Sequence, residues 1–243
     1  MIPIQISNHP QTVGEMVVAD YRKAEIFRKF GIDYCCGGKK PLEDICLKKG
    51  IDPEAVKKEL EALDQLPEEA PFEMEDWSLT QLADHIETKH HRYVAESIPI
   101  LQELTAKVAR VHGERHPELI EIAQRFQLVA QELQMHMMKE ENILFPYIRR
   151  MELALLEHHA FPQPMFGSVQ NPIRMMEAEH EFAGSHFEII RHLSNEYTPP
   201  ADSCTSYRVL FAKLDEFERD LHRHVHLENN LLFPAAIEME QSL

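Results

Sequence analysis

Two stretches 88 residues apart constrain this chain most: "MHMMKEENILFP" at 135–146 and "RHVHLENNLLFP" at 223–234. Upstream of the first, Ile122, Phe126, Val129 and Leu133 recur at alternating four- and three-residue spacing. His136, Glu140 and Ile143 continue the series. The second stretch repeats it as Leu210, Leu214, Phe217, Leu221, His224, Glu228 and Leu231. Such spacing marks the core-facing seam of an amphipathic helix. In each copy one histidine and one glutamate stand where apolar residues belong.

The rest of the chain also reads at helical period, so the expected class is all-α. "SLTQ" at 78–81 caps a first long helix to about Arg110. Pro117 opens a second to about 155. Asn171 and Pro172 start a third to about Leu193, and Asp202 or Ser203 caps a fourth to about 239. Four such helices joined by modest loops predict an up-down four-helix bundle over 77–243. Ahead of it, "TVGE" caps one amphipathic helix over 12–30, followed by shorter helices near 42–49 and 53–65. Residues 1–65 read as a small helical domain, and the Pro- and acid-rich 66–76 as a linker.

An ionised carboxylate or an imidazole buried without partners costs several kcal/mol. One His–Glu pair is explained by a local hydrogen bond. Two pairs at matching depth in repeated helices predict a shared metal site. An i, i+4 pair lies on one helix face, so both side chains reach one centre. The other two helices supply His91, followed by Val94, Ile98 and Leu101, and His180, followed by Ala183, Phe187 and Ile190 at the same offsets. His90 falls off this register. The chain order then gives two half-sites, His91/His136/Glu140 and His180/His224/Glu228. Four imidazoles and two carboxylates suit two iron or manganese ions, each Glu bridging both. Coordination positions left open fit a small molecule such as O2 or NO.

A formal charge of −16 makes nucleic acid and anionic membranes unsuitable partners. No apolar run approaches the ~18–20 residues of a membrane span, and no secretory signal is visible. Four cysteines, two of them adjacent, fit a reducing cytoplasm rather than a disulfide framework. Cys35 and Cys36, in the turn "DYCCGGKKP", read as an exposed thiol pair that takes up NO, reacts with an oxidant or binds iron transiently, with Lys39 and Lys40 close enough in sequence to lower a thiol pKa. Adjacent cysteines rarely close a relaxed disulfide. Cys46 and Cys204 read as structural. The histidines at 85, 112, 116, 158, 159, 186, 192, 222 and 226 read as solvated or locally hydrogen-bonded. Glu179 reads as a surface carboxylate with a secondary reading as a ligand-orienting group.

The bundle resembles the haemerythrin-like proteins. With "GIDYCCGG" (31–38), "HMMKEENILFP", "MEAEH" (176–180) and "HVHLENNLLFP", the whole chain resembles the iron–sulfur cluster repair di-iron family. The resemblance implies two non-haem irons, oxo- or hydroxo-bridged, at His91, His136, Glu140, His180, His224 and Glu228. It implies a cytoplasmic protein acting on damaged iron–sulfur proteins, by iron donation or NO removal, with Cys35 and Cys36 as the reacting thiols. An NO-reducing enzyme and an O2, NO or iron sensor or store are the alternatives, and a homodimer is left open. Oxygen carriers of this type place a histidine four residues after the third-helix ligand. Gly184 stands there instead.

Overall fold

The computed structural model describes residues 12–66, 77–159, 161 and 164–243, and these contain helices and no β-strand. The all-α expectation holds. Four short helices come first: α1 (Val13–Ala19), α2 (Lys23–Lys29), α3 (Leu42–Lys49) and α4 (Pro53–Asp64). They are followed by α5 (Leu79–His85), α6 (Arg92–His112), α7 (Glu118–Lys139), α8 (Phe145–Glu157), α9 (Gln170–Leu193), α10 (Thr205–Leu227) and α11 (Phe233–Gln241). The expected linker lies outside the described residues apart from Leu66.

Both capping boxes form. The Glu15 carboxylate accepts from Thr12 N–H at 2.9 Å, and Thr12 Oγ1 accepts from Glu15 N–H at 3.3 Å. Ser78 and Gln81 exchange the equivalent pair at 2.8 and 3.2 Å. The single helix expected over 12–30 is instead two. Asp20, in an extended conformation, accepts from the Arg22 backbone at 3.0 Å and from its guanidinium at 2.7 Å. A short acidic side chain bound to nearby backbone competes with the helix ladder, and the chain turns there.

Wide π-helical turns interrupt three of the long helices, at Ile86–His91, Glu140–Leu144 and Glu228–Leu232. The last two each precede a Leu-Phe-Pro. A proline ring clashes with the carbonyl four residues back, and proline has no N–H to offer. The turn widens ahead of it: Phe145 N–H reaches Glu140 O, and Phe233 N–H reaches Glu228 O. Neither proline ends its helix, and α8 and α11 continue beyond. The wider turn also breaks the expected seam at Ile143, which is 50% exposed, while Leu144 is buried.

The chain divides into two compact units. One comprises Asp84–Tyr147 and Gln170–His224. Its core is the predicted seam: Val94, Ile98 and Leu101, then Ile122, Phe126, Val129 and Leu133, with Ala183, Phe187, Ile190, Leu210, Leu214, Phe217 and Leu221, all buried. The rings of Phe126 and Phe187 both lie 5.6 Å from that of Phe217, so α7, α9 and α10 meet there. Full burial of each such side chain contributes roughly 1.5–3 kcal/mol.

The other unit joins the described residues of Met1–Ala83 to Ile148–Val169 and Val225–Leu243. Val13, Phe27, Leu42, Cys46 and Val56 form the core of its N-terminal part. The buried Glu152 accepts from Leu79 and Thr80 N–H at 3.2 and 3.0 Å, satisfying donors that the start of α5 leaves open. The cysteine turn rests on the π-turn at 228–232. Asn230 Nδ2 donates to Tyr34 O at 3.1 Å, and Asn229 Nδ2 reaches Cys35 O at 3.4 Å. The approach is close enough to demand glycine at 38, where a Cβ would sit 2.4 Å from Tyr34 O and 2.8 Å from Asn230 Oδ1. His226, buried, is hydrogen-bonded to Asn230 at 2.9 Å, and its ring meets that of Tyr34 edge-on.

Candidate metal centre

Five of the six predicted ligands belong to one unit and converge there. His136 Nε2 lies 3.0 Å from His180 Nε2 and 3.1 Å from Glu140 Oε2. His91 Nε2 lies 3.3 Å from the same Glu140 oxygen, and its ring centroid is 4.9 Å from that of His224. All five side chains are buried. The ligand atoms of His91, Glu140 and His224 lie within 4.8 Å of one another, as do those of His136, Glu140 and His180. Glu228, in the other unit, is fully buried and opens its π-turn four residues after His224.

The grouping differs from the half-sites read off the chain order. His91 pairs with His224 and His136 with His180, with Glu140 common to both. A bundle brings together whichever helices face each other at one depth, and a sequence repeat does not say which.

The hydrogen bonds behind the histidines decide what their inner nitrogens are. His91 Nδ1 lies 2.8 Å from Glu141 Oε1, and His136 Nδ1 lies 2.9 Å from Glu179 Oε2. In the neutral imidazole, an Nδ1 that faces a carboxylate carries the proton and donates it, which leaves Nε2 a lone pair. Those lone pairs point at Glu140, itself an acceptor. An acceptor against an acceptor at 3.1–3.3 Å is repulsive, and a cation between them makes the contact attractive. Metal-to-nitrogen bonds of about 2.1 Å at right angles put two nitrogens roughly 3.0 Å apart. The His136–His180 spacing matches that edge. The donor set therefore fits a metal, and the carboxylate behind each imidazole is the usual support of a ligand histidine.

Glu179 is thus an orienting group and not a surface carboxylate. It also pairs with Lys139. Burial raises its pKa, but the hydrogen bonds from His136 and Lys139 outweigh that and hold it below the ordinary value. Glu141 went unnoticed in the sequence, although it adjoins Glu140 and faces the neighbouring helix. His90 is a further correction. It is fully buried, its Nδ1 2.9 Å from Asp220 Oδ1 and its ring stacked on His224 at 5.7 Å. Both consecutive histidines, His90 and His91, face inward from the π-turn at 86–91.

The cysteine pair is not exposed as expected. Cys35 is buried, and only Cys36 is part-exposed. A carboxylate faces the thiols at close range: Asp33 Oδ1 lies 3.2 Å from Cys35 Sγ and accepts from the N–H groups of Cys35 and Cys36, both at 2.9 Å. The hydrogen bond to Cys36, burial and the Asp33 charge push the Cys35 thiol well above its ordinary pKa. Cys46 is buried in α3, as a structural residue should be. Cys204 is exposed and lies 3.1 Å from His112 Nε2, so it is no core residue.

Comparison with known proteins is consistent with this geometry. Residues 9–64 match ScdA_N, described as a domain of unknown function, and residues 82–236 match the haemerythrin HHE cation-binding domain. An iron–sulfur cluster repair protein YtfE from Enterobacter sp. is 37% identical over 233 residues, covering 95% of this chain and 98% of that one. The protein of that name from Citrobacter koseri is 37% identical, with 97% and 100% covered. A probable iron–sulfur cluster repair protein from Haemophilus influenzae is 36% identical, with 93% and 96% covered.

Proposed function

We propose that this chain, which belongs to the family of YtfE-type iron–sulfur cluster repair proteins with a haemerythrin HHE domain, restores damaged iron–sulfur clusters through a buried di-iron centre. The observation that carries the reading is the convergence of His91, His136, His180 and His224 on Glu140, two of the imidazoles backed by carboxylates. His91 and His224 would hold one iron and His136 and His180 the other, with Glu140 within reach of both and Glu228 the sixth ligand expected from the repeat.

Iron bound there would supply exchangeable metal and take up NO or O2. The protein's own residues set the terms. Glu141 and Glu179 fix the tautomer and aim of His91 and His136, and strengthen both as donors. The apolar seam around them excludes water, so each charge interaction is stronger than at a surface. Damaged iron–sulfur proteins are the clients, and Cys36 is the thiol they can reach. No helix among the described residues is long and apolar enough to cross a membrane, and the reading places the protein in the cytoplasm.

The test is reactivation of an NO-damaged iron–sulfur dehydratase by the iron-loaded protein and by Glu140→Ala at equal protein concentration. Wild type should restore activity and the variant should not. Equal rescue by both would refute a role for the buried centre. N2O released over many turnovers in the same mixture would move the assignment to an NO-reducing enzyme.

A further inference from the structure

We propose that Asp33, Cys35 and Cys36 form a second metal site, which takes one Fe(II) ion in passage between the bundle and a client. The choice of iron rests on the repair reading; the site itself rests on geometry. The two Sγ atoms are 3.9 Å apart, and Cys35 Sγ is 3.2 Å from Asp33 Oδ1. One ligand atom from each of the three lies within 4.8 Å of the others. Metal–sulfur bonds of about 2.3 Å at a tetrahedral angle put two sulfurs roughly 3.8 Å apart. An oxygen at about 2.0 Å from the same metal falls roughly 3.5 Å from each sulfur. The pair thus has the bite of a chelate. It does not have the geometry of a disulfide, whose Cα atoms usually lie 4.4 Å or more apart, against about 3.8 Å for adjacent residues.

The turn is held in that shape from both sides. Asp33 accepts from three consecutive N–H groups, those of Cys35, Cys36 and Gly37. Asn229 and Asn230 hold the carbonyls of Cys35 and Tyr34. Asn229 and Asn230 belong to the π-turn Glu228–Leu232, which thus fixes the thiol site. Binding releases the two thiol protons to solvent and changes no oxidation state: Fe(II) gains two thiolates and one carboxylate. Thiolates suit iron, and three ligands leave a fourth position on the part-exposed Cys36 side, where a client's own ligand completes the shell.

The experiment titrates Co(II), a spectroscopic stand-in for Fe(II), anaerobically into full-length protein already holding its bundle metal. A thiolate-to-cobalt charge-transfer band should saturate at one equivalent. It should vanish in Cys35→Ser and in Cys36→Ser, and need at least tenfold more Co(II) in Asp33→Asn. Absence of the band, or its survival in the double Cys→Ser protein, would overturn the site. The bundle ligands include no sulfur, so the part of the band lost in the Cys→Ser proteins reports the turn, apart from the exposed Cys204, and the iron count reports the bundle. A band with no bundle iron would sink the repair reading and, with it, the assignment to iron. Bundle iron without a band would sink this site and leave the repair reading standing.

Discussion

His136 Nδ1 lies 2.9 Å from a carboxylate oxygen of Glu179, the residue that precedes His180 in the chain. One helix thus carries a proposed ligand, His180, and, at the adjacent residue, the carboxylate that orients a second proposed ligand, His136. Glu179→Gln keeps the shape and removes the charge. Loss of such support typically costs 10–100-fold in metal affinity. Chelator competition should therefore show iron leaving Glu179→Gln about 10–100-fold more readily, with the helical circular dichroism unchanged. Unchanged iron retention would mean that Glu179 serves only its pair with Lys139.

Gly38→Ala tests the seating of the cysteine turn on the 228–232 turn. The added methyl would overlap a backbone carbonyl, that of Tyr34, and a carbonyl cannot swing aside as a flexible side-chain tip can. Overpacking of this kind costs about 1–3 kcal/mol. The thermal midpoint should fall and the Cys35 thiol should alkylate faster. An unchanged midpoint would show that the turn is not held as described.

His85 sets an acid limit on the metal-free protein. Burial, helped by the charges of His90, Lys89 and Arg223, lowers its pKa from 6.5 to about 4. Below pH 6.5 the unfolded chain takes up a proton that the folded chain refuses. This contribution to stability is present above pH 6.5, and is lost progressively as pH falls to about 4. His85→Gln should remove part of that acid sensitivity. Urea midpoints of the two metal-free proteins between pH 7 and 4 should diverge in slope, and parallel curves would reject the assignment.

Much of this was legible in the sequence for a physical reason. The seam through Ile122, Phe126, Val129 and Leu133 obeys helical periodicity, and a polar residue on such a seam stands out against it. His136, Glu140, His180 and His224 were found that way. What periodicity cannot express was missed. His90 faces inward from the π-helical turn at 86–91, and Ile143 faces outward from the one at 140–144. The cross-pairing of His91 with His224 depends on which helices are neighbours. Asn229 and Asn230 form contacts with residues nearly 200 positions away, and no local pattern marks them. Asp33 was in plain view beside the cysteines, and its carboxylate proved to be bonded to their turn.

The most direct measurement of the central claim is metal content with Mössbauer spectroscopy of iron-loaded wild type, Glu140→Ala and Glu228→Ala. The account predicts close to two irons per wild-type chain, coupled through their bridges. It predicts loss of that coupling and of firmly held iron in either variant, to similar extents. A single tightly bound zinc, or two uncoupled irons untouched by both substitutions, would contradict it.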